Sequence, residues 1–568
     1  MALRIKGLQG MQYSRKGSQF EESDYSYFNQ QYATSSYQKK HDMNPALIVQ
    51  PKDDDDVVKT VQWARDHKVS VAVKSGGHQY SGASSTGDKN IQIDLTNTYK
   101  DMMVLPSDKV SPDRALVYVG VSIQLQDFNA WLGHNGLFVP HGQCAFVCTG
   151  GHGQTGGYGQ LGRSFGLLGD HIRSIRMVDN DGYIHEEITK DNKPDLFNAI
   201  LGGSPGNFGI ITHYIIEVYQ AKSYMGTVAG PHKYKGPHWM KGLFVYRADI
   251  LKQLLTILAK MSDDATMPRG YDLCVSVLST NFPVRLLFPS LQDDSSYQDI
   301  LEKIAKALEE KVLNLLNGKL PAIIVVYAQW CPITKDDLYD KTVDNWFQQF
   351  RDLREHTRFL LLEEDDGNMA EITAKWIFPK RREFNLPYVK RTYATNSRTL
   401  SKNGWVDVVV QRLNLILDPN QKLGEDKTAK EGKIYDHCKL SVQIQGFGGN
   451  NSQFYVNRDN GTSYSWRDST VVQTMDCFHD ADDQYHEYAV EWQKNNDTIM
   501  IGPQSTFSQQ DKRLLWGSWG DWDMSKPEVW KAYYENEDKY QKLGKARGLA
   551  DPDGTFTANP FAVAAIKQ

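Results

Sequence analysis

The chain has 568 residues, too many for a single hydrophobic core, so two large lobes are expected. It is 40% hydrophobic and 23% charged, and its formal net charge of −5 gives no reason to expect nucleic acid or an anionic membrane as a partner. No run of about 18 apolar residues occurs, which excludes a spanning helix, and six scattered cysteines form neither a disulfide framework nor a metal motif.

The N-terminal third alternates short apolar strands with helices. The pattern predicts strands at residues 45–51 and 69–77, helices at 53–67 and 122–134, and a hairpin around the Asp-Gly turn of residues 176–187. The helix at 53–67 begins with an acidic turn, which suits the positive end of a helix dipole.

The centre of the chain has longer helical patterns mixed with apolar strands. Helices are predicted at residues 249–262, 295–316 and 336–353, and strands at 322–330, 405–417 and 439–447. This mixture predicts an antiparallel sheet covered by helices on one face. Residues 526–550 are helical again and lead into the turn at 551–554.

Two glycine-rich segments, residues 71–82 and 141–170, carry the strongest functional signal. Glycine at this density lets backbone N–H groups approach a ligand closely and form an anion cradle. Neither segment fits the Rossmann or P-loop pattern, so a phosphate bound here would be held by a different type of fold. The alternative is that the glycines serve tight turns alone.

The sequences SGGHQYSG at 75–82 and GQCAFVCTGGHGQTGGYG at 142–159 resemble the berberine bridge enzyme-like branch of the vanillyl-alcohol oxidase flavoproteins. A third match, residues 195–212, resembles the family segment that contacts the adenine end of FAD. The resemblance implies an α+β fold with a two-lobed PCMH-type FAD-binding domain and a substrate domain that has an antiparallel sheet covered by helices. The implied boundaries are 1–222 for the first part of the FAD-binding domain, 223–509 for the substrate domain, and 510–568 for a C-terminal segment that returns to the first.

The resemblance also implies the cofactor, FAD, attached through two side chains. His78 falls on the histidine that bonds the flavin 8α-methyl carbon, and Cys144 falls on the cysteine that bonds flavin C6. A thiolate and an imidazole nitrogen are nucleophilic enough for these roles. The cofactor-binding residues implied in this way are Ser75, Gly76, Gly77, His78, Gln79, Gly82, Pro140, Gly142, Cys144, Val147, Gly150, Gly151, His152, Gly156, Gly157, Gly159, Asn207, Gly209 and Ile210.

The chain departs from the family pattern at several of these positions. Cys148 stands where glycine is usual and raises the question of which cysteine bonds the flavin; the spacing to the Gly-Gly-His motif favours Cys144, and Cys148 is interpreted as a packing residue. Lys74 stands where many relatives have arginine. His152 is interpreted as scaffold rather than base.

The substrate side is less defined. Gln443 and Gln445 share one face of a predicted strand, either as a wall over the flavin or as a solvated face. Tyr80 matches a substrate-side tyrosine of the oligosaccharide oxidases, and Asp459 and Tyr464 are further catalytic candidates from looser matches. Trp516 and Trp519 replace tyrosines of the family, one of which is the base in sugar oxidases; tryptophan cannot deprotonate an alcohol, so these two residues form either a substrate platform or ordinary packing.

The resemblance predicts an oxidase that removes a hydride and a proton from a CH–OH or CH–N group of a small molecule, either a sugar or an intermediate of specialised metabolism. The hydride goes to flavin N5, and O₂ is the electron acceptor and becomes hydrogen peroxide. Val147 falls on a family position where valine admits O₂ and leucine blocks it, although a core valine is the alternative. The competing functions are a dehydrogenase with another acceptor and a flavin- or ligand-binding protein without turnover. The start of the sequence has no apolar run typical of a signal peptide, so a cytoplasmic location is expected, while a mature secreted form would look the same.

Overall fold

The computed structural model describes residues 3–15, 43–229, 234, 236–279, 322–356, 359–378, 387–418, 434–501, 505, 508–516 and 523–567. None of the helices within these ranges is long and apolar enough to cross a membrane. The predicted helix at 295–316 lies outside the described residues.

The first 220 residues build two sheets. One has the order β1-β2-β4-β3, in which β1 is antiparallel to β2 and the other neighbours are parallel. Its strands are β1 Met11–Ser14, β2 Leu47–Gln50, β3 Val71–Lys74 and β4 Ile91–Asp94. The other sheet is antiparallel with the order β5-β6-β10-β8-β9 and β7 beside β10. Its strands are β5 Met102–Leu105, β6 Arg114–Gly120, β7 Leu137–Phe138, β8 Ile172–Val178, β9 Ile184–Ile188 and β10 Ile210–Gln220.

Helices pack between and against these sheets. In α1 the carboxylate of Asp53 accepts the N–H of Asp56 and caps the helix, and an apolar face that includes Val57 and Val61 is fully buried. The helices of this part are α1 Asp54–Asp66, α2 Leu125–His134, α3 Thr149–Gln154, α4 Gly162–Phe165 and α5 Pro194–Ile200.

The centre of the chain forms an antiparallel seven-stranded sheet with the order β16-β12-β14-β13-β18-β19-β17. Its strands are β12 His238–Val245, β13 Tyr271–Leu278, β14 Ile323–Trp330, β16 Phe359–Asp366, β17 Tyr388–Thr395, β18 Cys438–Gly446 and β19 Val471–His479, and two short parallel strands, β11 Thr227–Val228 and β15 Leu338–Tyr339, lie apart from it.

One face of this sheet is covered by helices, as the sequence predicts. The apolar sides of these helices share one hydrophobic cluster with inward residues of the strands, such as Val275, Val442 and Met475. The other face meets the glycine-rich segment, where the amides of Gln445 and Gln329 donate to the carbonyls of Gly159 and Gln160. The helices of this part are α6 Ala248–Asp263, α7 Lys341–His356, α8 Met369–Lys375, α9 Trp405–Leu417, α10 Ile434–His437, α11 Gln453–Val456 and α12 Asp483–Met500.

The prediction of a strand at 405–417 is wrong, because these residues form the helix α9. The run is rich in valine, which favours strands when composition alone is considered. Its buried residues recur at intervals of three and four, from Trp405 through Val409 and Leu413 to Ile416, which is the helical period. Packing of this face against the sheet overrides the β propensity of the valines.

The other predicted elements within the described residues agree with the structure apart from their ends. The helices predicted at 122–134 and 336–353 begin later, at Leu125 and Lys341, and the helical stretch 526–550 is divided into α13 Pro527–Tyr533 and α14 Glu537–Ala550. The predicted hairpin consists of β8 and β9 joined around Gly182, whose N–H donates to the carbonyl of Asp179. Mixed helices and largely antiparallel sheets make the fold α+β, as expected.

The C-terminal segment makes contacts with the first sheet and its loops. The N–H of Val71 donates to the carbonyl of Thr555, and the side-chain amide of Asn559 donates to the carbonyls of Gly82, Ala83 and Ser85. The domain boundaries stay a prediction, and contacts of this kind favour assigning residues 510–568 to the FAD-binding domain.

A buried ion pair joins the end of the second glycine-rich segment to the segment that follows α11. The guanidinium of Arg467 donates to both carboxylate oxygens of Asp170, at 2.7 and 3.0 Å, and Asn457 and Asn460 donate to the same carboxylate. Burial by itself would raise the pKa of Asp170, but the charge and hydrogen bonds of Arg467 outweigh it and hold this pKa below its usual value. The pair therefore stabilises the packing of two distant chain segments.

We expect Arg467→Met to lower the free energy of unfolding by about 3 kcal/mol or more, because it leaves the Asp170 carboxylate buried without its cation. Arg458→Met is a matched control, since Arg458 forms an exposed pair with Asp459 and its loss should cost less than about 1 kcal/mol. Urea denaturation of the two variants beside the wild type measures the difference. Equal destabilisation by the two substitutions would contradict the role of the buried pair.

Candidate active site

A cavity lies between the glycine-rich segments and the polar face of the seven-stranded sheet, and its empty space of about 1370 Å³ includes solvent at its opening. Residues 75–80, most of the segment 142–159, and Pro205, Gly206 and Gly209 line one side of it. Side chains from β17, β18 and β19 line another side, and Trp516 joins them from the C-terminal segment. The cavity is therefore bounded by both lobes.

Most of the predicted cofactor residues meet at this cavity. Those that line it are Ser75, Gly76, Gly77, His78, Gln79, Gly142, Cys144, Val147, Gly150, Gly151, His152, Gly157, Gly159 and Gly209. The structure does not place the other predicted cofactor residues in its lining, and these are Gly82, Pro140, Gly156, Asn207 and Ile210. Two of them hold the C-terminal segment: Gly82 accepts from Asn559, and the amide of Asn207 donates to the carbonyl of Phe556.

Cys144 and Cys148 have different environments although they are four residues apart. Cys144 is exposed at the cavity and stands at the start of a turn in which the N–H of Val147 donates to its carbonyl. Cys148 is 4% exposed, and its thiol donates to the carbonyl of Ser122. Burial raises the pKa of Cys148 to about 12, which suppresses the thiolate that flavin addition requires. The local structure thus favours Cys144 for attachment.

Cys148 has a packing function that explains why the first glycine-rich segment needs Gly76. A Cβ atom added to Gly76 would lie 3.1 Å from both the backbone nitrogen and the sulfur of Cys148. The loop that carries His78 can therefore approach the loop that carries Cys144 because residue 76 has no side chain.

His152 is a buried neutral imidazole that holds the second glycine-rich segment together. Its Nε2 accepts the N–H of Gly142 at 2.8 Å, which places its own proton on Nδ1. Burial, aided by the neighbouring His141, lowers the pKa of His152 to about 3. These features agree with the interpretation of His152 as scaffold rather than base.

Some of the predicted substrate-side residues line the cavity, and others do not. Tyr80, Gln443 and Trp516 line the cavity. Gln445 is fully buried beside it, and its amide donates to the carbonyl of Gly159 at 2.7 Å. Trp519 lies outside the described residues.

The two looser catalytic candidates lie away from the cavity lining. The side chain of Asp459 is 82% exposed and pairs with Arg458 at the surface. Tyr464 is buried, and its hydroxyl donates to the carbonyl of Gly153. Neither side chain lines the cavity, so the structure does not support a direct part in catalysis for either group.

The structure adds wall residues that sequence reasoning missed, namely Lys390, Thr474 and Tyr158. Lys390 and Thr474 point to the same face of the sheet as Gln443, since Thr474 pairs directly with Gln443 and lies two positions from Asp476, the partner of Lys390. Period-two alternation in β17 and β19 could have identified this face, but it does not identify which strands are neighbours. Tyr158 stacks on Trp516 with ring centroids 4.4 Å apart.

The described lining contains Lys390 and no aspartate or glutamate. Lys390 is 5% exposed, so its charge acts in a partly desolvated place where electrostatic interactions are stronger than in water. The arrangement can hold a planar, uncharged ring system between glycine backbone and aromatic side chains, with polar groups on one wall.

Comparisons with known proteins show which families and folds this chain is similar to. Residues 45–187 match the family described as FAD binding domain. The chain is 28% identical over 257 residues to Berberine bridge enzyme-like 19 of Arabidopsis thaliana, which is 42% of this chain and 44% of that protein. The matched part spans about half the length of the curated relatives. The resemblance to berberine bridge enzyme-like proteins is thereby confirmed.

The fold is shared with solved flavoprotein structures over nearly the whole chain. A glucooligosaccharide oxidase from Acremonium strictum with a 6-S-cysteinyl, 8α-N1-histidyl FAD has a TM-score of 0.65 at 15% identity and covers 98% of both chains. A xylooligosaccharide oxidase from Myceliophthora thermophila in complex with xylobiose has a TM-score of 0.65 at 16% identity and covers 99% of both chains. These likenesses confirm the predicted fold class.

We expect His152→Gln to flatten the dependence of stability on pH below about pH 6.5, because glutamine can still accept the N–H of Gly142 but cannot take up a proton. The unfolded histidine binds a proton below about pH 6.5, whereas the folded one stays neutral down to about pH 3. The wild type should therefore lose about 1.4 kcal/mol more than the variant for each pH unit in this window. Urea denaturation at several values between about pH 5 and about pH 7 measures this, and parallel curves would contradict it.

Proposed function

We propose that this chain is an FAD-linked oxidase with the flavin attached through both His78 and Cys144, acting on a CH–OH or CH–N group of a small molecule. The observation that carries the proposal is that these two side chains, from separate glycine-rich segments, line one cavity. The substrate proposed is a sugar or an intermediate of specialised metabolism. O₂ is proposed as the electron acceptor, reduced to hydrogen peroxide.

The residues of the cavity fit the cofactor. A Cβ atom added to Gly151 would meet no atom within 4 Å, so this part of the segment borders open space that a ligand can enter. Cys144 offers an exposed thiol at the same cavity, and His78 is half-buried there. When bound, FAD would supply an acceptor for one hydride, which carries two electrons.

The chain's own residues hold and orient the reactants. The side chain of Gln154 joins two segments of the cavity lining. Its amide oxygen accepts the N–H of Gly206, and its amide N–H donates to the carbonyl of Gly150. Tyr158 and Trp516 form an aromatic pair that can bind the face of a ring-shaped substrate. Gln443 and Thr474 offer hydrogen bonds from the sheet.

We expect denatured wild-type protein to keep its yellow chromophore on the polypeptide, because a covalent bond survives loss of the fold. His78→Ala and Cys144→Ala should each keep it through the remaining bond, and the double variant should release it. Cys148→Ala is the matched control and should behave as the wild type. Absorbance of acid-precipitated protein and its supernatant gives the answer; free FAD released from the wild type would refute the attachment.

A substitution at Val147 provides a test of O₂ as the electron acceptor. It lines the cavity directly after the Cys144 turn, and an added methylene there would fill space that a diatomic molecule needs in an interior with few voids. We expect Val147→Leu to slow reoxidation by O₂ by about tenfold or more, while reduction by substrate changes little. Stopped-flow absorbance of the flavin follows both half-reactions. Slow reoxidation of the wild type would instead favour a dehydrogenase.

A further inference from the structure

A lysine, a tyrosine and an aspartate meet at the boundary of the cavity. The Nζ atom of Lys390 lies 3.8 Å from the centroid of the Tyr80 ring and 3.5 Å from Oδ2 of Asp476. Lys390 and Tyr80 both line the cavity, while Asp476 is 1% exposed behind them. A cation over the face of an aromatic ring is attracted by its negative π surface.

The contact between Lys390 and Tyr80 joins the seven-stranded sheet to the loop after β3. Lys390 pairs with Asp476 in the register of β17 and β19, so their side chains share the face of the sheet that borders the cavity. Tyr80 comes two residues after His78, in the loop that follows β3. The cation of the sheet therefore lies over a ring that belongs to the proposed flavin-attachment loop.

Other groups at the cavity are poorly suited to accept a proton from a substrate. The described lining contains no carboxylate, and His152 has its Nε2 occupied by the N–H of Gly142. Burial raises the pKa of Tyr158 well above its ordinary value. His78 and Cys144 are assigned to the cofactor. Tyr80 is half-buried and has a cation over its ring.

We propose that Tyr80 is the residue that takes the proton from the substrate and that Lys390 is its positioning residue, which holds the ring and stabilises the phenolate. This inference rests on the proposed function. The O–H or N–H bond of the substrate breaks, and its proton moves to the oxygen of Tyr80. The hydrogen of the adjacent carbon leaves with the electron pair of the C–H bond as hydride to the FAD, and a C=O or C=N bond forms. Tyr80 then releases its proton to solvent, and O₂ takes the two electrons, the proton carried by the reduced FAD and one proton from solvent to give hydrogen peroxide.

The charged and titratable groups around Tyr80 determine what each substitution should do. Lys390, on β17, lies over the Tyr80 ring, and Asp476, on β19, pairs with Lys390. His78 precedes Tyr80 on the same loop and also lines the cavity. Tyr388 meets the Tyr80 ring edge to face, with centroids 5.4 Å apart. Removing the cation should disfavour the phenolate, whereas removing the anion of Asp476 should favour it.

The test is an ultraviolet titration of tyrosine ionisation in purified holoprotein. The titration curve of the same protein with Tyr80→Phe is subtracted from each curve, which leaves the transition of Tyr80. We expect Lys390→Met to move the midpoint of the Tyr80 transition to higher pH by about 1 to 3 pH units. Lys390→Arg should keep the wild-type midpoint, and Asp476→Asn should move it to lower pH. Tyr388→Phe is the matched control, because it keeps the aromatic contact and changes no charge at pH 7. An unchanged midpoint in Lys390→Met would overturn the inference.

A second measurement separates failure of this inference from failure of the proposed function. With any alcohol or carbohydrate that bleaches the wild-type flavin, Tyr80→Phe should slow flavin reduction by about 100-fold or more, while O₂ reoxidation stays as in the wild type. Reduction at the wild-type rate would remove Tyr80 as the proton acceptor and leave the oxidase proposal intact. Loss of the chromophore from denatured wild type would refute the flavin attachment itself, whereas the titration reports on Tyr80 and Lys390 without any substrate.

Discussion

Close approach of backbone segments around His152 is the constraint on which the rest of the site depends. A Cβ atom on Gly142 would lie 2.7 Å from Cε1 of His152, and one on Gly157 would lie 3.1 Å from Cδ2 of the same ring. The imidazole thus occupies the space that side chains at these positions would need, and it accepts the N–H of Gly142 while it stays neutral. Because Gly142 is held, Cys144 begins its turn two residues later with its thiol at the cavity.

The site also requires a sheet with one apolar face and one polar face. On the covered face, Val442 and Met475 pack in the apolar cluster beneath the helices. On the other face, Gln443 and Thr474 are paired neighbours at the cavity, and Lys390 pairs with Asp476 in the adjacent row. A shift in register by one residue would exchange the two faces, so apolar packing on one side fixes the polar wall on the other. The cost of burying Lys390 is offset in part by Asp476 and the Tyr80 ring.

The sequence predicted the local features of this site better than the long-range ones. Glycine density and the positions of His78, Cys144 and His152 are visible in the chain, because backbone approach and nucleophilic side chains require particular residue types. The place of Lys390 is not visible, since it follows from the order β18-β19-β17 and β17 comes before both partners in the chain. The strand predicted at 405–417 failed for a related reason: valine-rich composition outweighed a helical period that becomes meaningful once the buried face is known. Asp459 and Tyr464 were matched by motif alone, and their side chains are directed to the surface and to the carbonyl of Gly153.

The replacement of a family tyrosine by Trp516 bears on whether turnover is retained. The resemblance implies a tyrosine base at this position, and tryptophan has no phenol to take that part; this loss alone would suit a protein that binds flavin without turnover. In this chain Trp516 stacks on Tyr158, and the pair covers one end of the cavity with aromatic surface. Lys390 brings a cation to the face of another tyrosine, Tyr80, in a cavity whose described lining has no carboxylate. An ammonium group desolvated between a phenol and a carboxylate is not needed for stability, because replacing such buried charges by apolar residues is often neutral or stabilising. The contact of this cation with Tyr80 therefore supports the proposal of an enzyme whose proton acceptor is Tyr80 over that of a flavin-binding protein without turnover.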